Sequence, residues 1–105
     1  MKIVFLHPAV QEFSESVNYY NAESPGLGYE FADEVFRTVE RIVNAPGAWQ
    51  PLSARTRRCL TRRFPYGIVY QLRDEVLVIV AVMHLRRHPE SWKSRGEDDE
   101  KNLPS

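Results

Sequence analysis

The chain is poor in the residues that build metal and redox sites. A single cysteine, Cys59, stands in 105 residues, which excludes an internal disulfide and any multi-cysteine metal site. There are only three histidines. His84 and His88 stand four apart, but Pro89 opposes a helix through His88, and no carboxylate or cysteine cluster completes a ligand set. Long apolar runs are missing too. The stretch Ile3-Val4-Phe5-Leu6 is shorter than a signal-peptide core, and nothing approaches the ~20 apolar residues of a membrane span. There is no Gly-rich phosphate loop, because Gly26-Leu27-Gly28 lacks the Lys-Ser/Thr that would follow it. These lacks predict a cytoplasmic protein with no metal, cofactor, membrane partner or small-molecule substrate.

Net charge is also absent, but only in the sum. Residues 1–54 set Lys2, Arg37 and Arg41 against seven acids, whereas residues 55–95 set ten Lys/Arg against Asp74, Glu75 and Glu90. Residues 96–105 return to acid, with four carboxylates and Lys101. The middle block attracts anionic partners over distances near the Debye length, ~8 Å in physiological salt.

Periodicity predicts one α+β domain over residues 1–95, in the order β-α-α-β-β-β: a helical hairpin packed on a mainly antiparallel sheet. Lys2–Leu6 reads as a strand. Val10, Phe13, Val17 and Tyr20 recur at helical spacing, so the first helix covers about residues 9–22. Ser24 is expected to cap the second helix, with Pro25 in its first turn. Leu27, Phe31, Val35, Val39 and Ile42 form its inner stripe, widened by Phe36 and Val43. Asp33, Glu34, Arg37, Glu40 and Arg41 line its outer side. Asn44-Ala45-Pro46-Gly47 ends it, and a loop carries Trp49.

Arg57–Phe64 then reads as a strand, broken by Pro65. Tyr66–Leu72 is the next, with Tyr66, Ile68, Tyr70 and Leu72 on one face. After the turn Arg73-Asp74-Glu75, Val76–Met83 is apolar on both sides. Strict alternation puts Val76, Val78, Val80 and Val82 on one face and Leu77, Ile79, Ala81 and Met83 on the other. Such a strand is covered twice, by the helices and by either the segment after His84 or a partner. The acidic segment 96–105 is expected to be a disordered tail.

The chemistry-bearing residues are mostly arginines. Arg57 and Arg63 share one strand parity and Arg58 and Arg62 the other, and Arg86, Arg87 and Arg95 surround Trp92. Arginine forks bind phosphate or carboxylate, and an aromatic among them anchors an interface or stacks on a base. The plain alternative is a solvated basic face paired with the acids of the second helix or the tail. Acid–base groups are few: His84, His88, Tyr66, Tyr70 and Glu90. The arginines near Cys59 would lower a thiol pKa, while a buried strand cysteine is the simpler expectation.

Several stretches, in order, resemble the RelE/ParE superfamily of toxins from type II toxin–antitoxin modules, most closely the ParE-like branch. They are Tyr19-Tyr20, Ser24-Pro25-Gly26-Leu27-Gly28 with Phe31, Pro46 with Trp49, Arg63-Phe64-Pro65-Tyr66-Gly67-Ile68-Val69-Tyr70, and Ala81-Val82-Met83-His84-Leu85-Arg86-Arg87-His88-Pro89 with Trp92 and Arg95. The resemblance spans residues 2–95. It implies a plasmid-stabilisation type toxin that arrests growth and is neutralised by a cognate antitoxin. ParE-like members bind and poison DNA gyrase, while RelE-like members cleave mRNA on the ribosome.

In the RelE pattern an Arg follows the first Tyr of the strand Tyr-x-Val/Ile-x-Tyr, and here that position is Gly67. The RelE-type tyrosine near the C-terminus is replaced by Trp92, which cannot carry a proton. Arg86 does match an Arg at the end of the last strand. The expectation is therefore gyrase binding through Arg57, Arg58, Arg62, Arg63, Arg86, Arg87, Trp92 and Arg95, gathered on one exposed patch. Two alternatives stay open. One is a ribonuclease in which Arg62, Arg63 and Arg86 hold phosphate and His84 or His88 moves protons. The other is a degenerate, non-catalytic nucleic-acid-binding module.

Overall fold

The computed structural model describes residues 1–87, 90 and 92–95, so His88, Pro89 and the acidic segment 96–105 lie outside the described residues. The elements are β1 (Lys2–Phe5), α1 (His7–Glu23), α2 (Leu27–Asn44), β2 (Gln50–Pro51), β3 (Thr56–Leu60), β4 (Tyr66–Arg73) and β5 (Val76–His84). They form one sheet in the order β1-β5-β4-β3-β2. β1 runs parallel to β5, and the other neighbours are antiparallel. The expected order is present, with the two-residue β2 added inside the Trp49 loop. No helix among the described residues is long and apolar enough to cross a membrane.

α1 opens with Pro8 in its first turn, where a missing N–H costs nothing. The start of α2 differs from expectation. Ser24 ends α1, its N–H bonding Tyr20 O at 2.9 Å, and its hydroxyl caps nothing. Gly26 stands at the N-cap of α2 with φ 91°, a left-handed conformation open to glycine. α2 buries Phe31, Val35, Val39 and Ile42 on the sheet as its periodicity requires. Val43 joins that side, but Phe36 is 51% exposed, its ring 5.6 Å from Phe13 across the hairpin. Glu34, expected outside, is 8% exposed.

β3 ends at Leu60, well short of the predicted Phe64, because residues 61–65 form a tied turn. Thr61 Oγ1 donates to Phe64 O at 2.8 Å, and Phe64 takes the left-handed φ of 70°. β4 alternates as expected through Tyr70, with Tyr66, Ile68 and Tyr70 in the helix-side core. Leu72 is 46% exposed. β5 departs from strict alternation. Val69 pairs with Ala81 but Tyr70 with Ile79, so β5 spends one extra residue, Val80. This bulge shifts every later side chain by one face. Leu77, Ile79 and Val82 consequently face the helices, while Val78, Val80, Ala81 and Met83 face away.

The two faces of the sheet carry two cores. Under the helices, Phe31 is ringed by Tyr66 at 4.7 Å, Phe64 at 5.3 Å and Tyr20 at 5.4 Å, centroid to centroid. On the second face, Val69, Val78, Val80, Ala81 and Met83 are closed over by Trp92, with Leu6, Leu52 and Val76 at the margin. The segment after β5 thus covers the second face.

Candidate functional site

β1 stops pairing with β5 at Phe5↔Ile79, and the chain then turns into α1. Beyond that point the edge of β5 stands open beside α1. A cleft of about 500 Å³ lies there, lined by Glu12, Glu15, Ser16 and Tyr19 of α1 and by Tyr66, Val82, Met83, His84, Arg87 and Arg95. One carboxylate organises it. Glu12 Oε1 accepts the Val82 N–H at 3.1 Å and the Arg95 guanidinium at 2.7 Å. It therefore occupies the place a further strand would take, and it ties down the last described turn. Next to it, Ser16 Oγ and the Tyr66 hydroxyl are hydrogen-bonded at 3.0 Å. Positions 12, 15, 16 and 19 follow the i, i+3, i+4, i+7 spacing of one helix face, so the sequence held a signal for this wall.

His84 sits at the cleft, 5.2 Å from the Tyr66 ring. Its Nδ1 accepts the Arg86 N–H at 3.1 Å, so neutral His84 carries its proton on Nε2. Burial, then the charges of Arg87 and Arg86, push its pKa below the usual histidine value. Arg87 lines the same cleft. Tyr66 lines the cleft but belongs to the core. Tyr70 is committed to Pro46 O, and its pKa is pushed up to about 12 by burial. Burial also raises the Cys59 thiol, against the smaller pull of Arg41 and Arg62; desolvation outweighs the arginines here.

The arginines do not gather on one patch. Arg57 lies on the helix side and donates to Trp49 O at 2.7 Å. Arg58 lies on the opposite face and donates to Gln50 Oε1 at 2.7 Å. Arg62 and Arg63 are in the turn after β3, so strand parity does not govern them. Both of their backbone N–H groups bond the single oxygen Oε2 of Glu34, that from Arg63 at 3.1 Å. The Arg63 side chain pairs with Glu30 at 3.1 Å and stacks on Phe64. Arg95 is paired with Glu12. Arg86 and Arg87 are exposed beyond β5. Trp92 is 8% exposed, so its ring is a core residue in this structure, not a presented anchor. The expectation of one cationic surface is corrected for a plain reason: the arginines come from both faces of β3, from the turns after β3 and β5 and from the helical residues 92–95, and acids of both helices neutralise two of them. His88 lies outside the described residues.

Comparisons with known proteins agree with this architecture. Residues 3–89 match the family model described as ParE toxin of type II toxin–antitoxin system, parDE. The protein called Toxin ParE2 in two strains of Mycobacterium tuberculosis is 33% identical over 89 residues, covering 80% of this chain and 82% of that protein. Among solved structures, a chain of the chromosomal ParDE TA system from P. aeruginosa aligns with TM-score 0.70 and 14% identity, covering 80% of this chain and 95% of its own. The isolated E. coli RelE toxin aligns with TM-score 0.61 and 19% identity, over 97% and 98%. These two likenesses concern the fold. With a family model spanning most of its length and a relative one-third identical, the chain belongs to the ParE toxins of type II toxin–antitoxin systems.

Proposed function

We propose that this toxin arrests growth by docking on a bacterial protein, DNA gyrase, and that a cognate antitoxin neutralises it. The observation that carries the reading is the state of the positions where the RelE pattern has its cleavage groups. Position 67 has no side chain, and Trp92 is both unable to carry a proton and buried. A metal-free ribonuclease needs a proton acceptor, a proton donor and cations converging on one phosphate, whereas the cations here are dispersed. The antitoxin is supported by the family and by the ParDE module from which one structural neighbour comes. Purified protein at micromolar concentration should block supercoiling by gyrase or stabilise cleaved DNA. Unchanged supercoiling at that concentration would remove gyrase as the target.

One observation favours the RelE-type alternative. His84, its pKa lowered by burial, lines one cleft with Arg87 and Tyr66. That reading predicts codon-positioned mRNA cuts on translating ribosomes, lost in His84→Ala.

A further inference from the structure

On the second face of the sheet, beside Val69 and Met83 of the core that Trp92 closes, one arginine is held in an unusual way. Arg58 pairs in register with Val69, and Leu60 with Gly67, so all four positions belong to this face. A Cβ on Gly67 would stand 2.8 Å from Arg58 Cδ, 3.0 Å from Cγ and 3.4 Å from Leu85 Cδ2. The Arg58 stem therefore lies flat across β4 in the space where a side chain at 67 would be. Its Nη2 donates to Gln50 Oε1, but its Nε is buried with no acceptor among the described residues. A buried donor left unpaired keeps its desolvation penalty until an acceptor reaches it. Arg57, Arg63 and Arg95, by contrast, have their acceptors in Trp49 O, Glu30 and Glu12.

We infer that Arg58 is an anion receptor, laid across Gly67, that takes a carboxylate of a partner protein side-on through Nε–H and Nη2–H. An incoming carboxylate satisfies both donors with the bidentate geometry that suits a guanidinium, replacing the weaker amide of Gln50. The surroundings favour a protein over a nucleic acid. Leu60, on the same face, is 46% exposed, and Leu85 flanks the stem. Nucleic-acid affinity grows with the number of phosphates met at once, and the other arginines are dispersed or paired. This inference rests on the reading that the toxin's target is a protein. It adds which residue meets the target, and it gives Gly67 a purpose beyond the loss of an Arg.

The test follows the Arg58 Nε–Hε resonance of the isotopically labelled full chain, assigned by its disappearance in Arg58→Lys, while acetate is added at constant ionic strength. The resonance should move downfield and saturate, while that of Arg37, an exposed residue paired with Asp33, drifts without saturating. Gly67→Ala should weaken the response about tenfold, equivalent to 1.4 kcal/mol, by pushing the stem off β4. Gln50→Ala, at an exposed site, should strengthen it and serves if Gly67→Ala does not fold. An Arg58 signal that stays still, or that only tracks Arg37, overturns the inference. So does tighter binding of inorganic phosphate and a single-stranded oligonucleotide than of acetate, which would assign the site to nucleic acid. The titration contains no gyrase and no cells, so its outcome stands whether or not supercoiling is inhibited.

Discussion

Glu34→Ala removes an acid that periodicity places on the solvent side of α2 but the fold buries. Its Oε2 holds the backbone N–H groups of Arg62 and Arg63, and with them the turn that sets Phe64 at φ 70° and lets its ring pack on Tyr20 and Phe31. Hydrogen bonds to a charged group contribute about 1.5–3 kcal/mol each. The turn is partly open to water, which will satisfy some of what the alanine leaves. A loss of about 2–4 kcal/mol is expected from the pair. Glu34→Gln should cost much less, about 1 kcal/mol or below, because both bonds go to one oxygen and a glutamine carbonyl can accept both. Urea unfolding with a common slope gives the two values, and hydrogen exchange at the Arg62 and Arg63 amides locates the effect. If alanine costs under about 0.5 kcal/mol, or if glutamine costs as much as alanine, the carboxylate is not what holds the turn.

Phe31→Ala removes the ring that Tyr20, Phe64 and Tyr66 surround and should cost about 3–5 kcal/mol in the same assay; under about 1 kcal/mol would show that the site collapses without penalty. His84 has a folded pKa below its unfolded value of about 6.5, so the unfolded chain takes up the proton first as pH falls. Stability should therefore decline on acidification from just above that value until the folded form also titrates, and His84→Gln should flatten this part of the curve. Tyr20 and Tyr70 are both pushed up to about 12, chiefly by burial. A spectrophotometric titration should show Tyr20 and Tyr70 ionising late, and stability should fall as pH rises from about 10 towards that value. An alkaline titration in which Tyr20 and Tyr70 ionise at the ordinary phenol value of about 10 would contradict their burial.

Much of the fold was legible because its signals are local. The apolar stripe of α2, the alternation of Tyr66, Ile68 and Tyr70, and the doubly apolar β5 each follow from period alone. The departures are the places where one residue's tertiary role overrides the period. Val80 is as apolar as its neighbours, so nothing in the run Val76–Met83 announces a bulge, and the faces of Ala81, Val82 and Met83 exchange. Glu34 looks like any outer-face acid until the β3–β4 turn is brought over it. Trp92 stands among arginines in sequence, yet it is drawn down onto Ala81 and Met83 because the second face of β5 has to be covered. The candidate site was legible only in composition. Counting arginines located the cationic segment, but their dispersal depends on where β3 ends. Glu12, which shapes the cleft, carried a helical-spacing signal that an apolar reading ignores.

If the proposed docking on gyrase holds, this toxin halts DNA transactions and leaves messages uncut. Pulse-labelling of cells after induction measures it directly, by following thymidine and methionine incorporation side by side with mRNA end mapping. Thymidine incorporation should collapse first while translation continues on intact messages. Early collapse of methionine incorporation, with new mRNA ends at fixed codon positions, would contradict it.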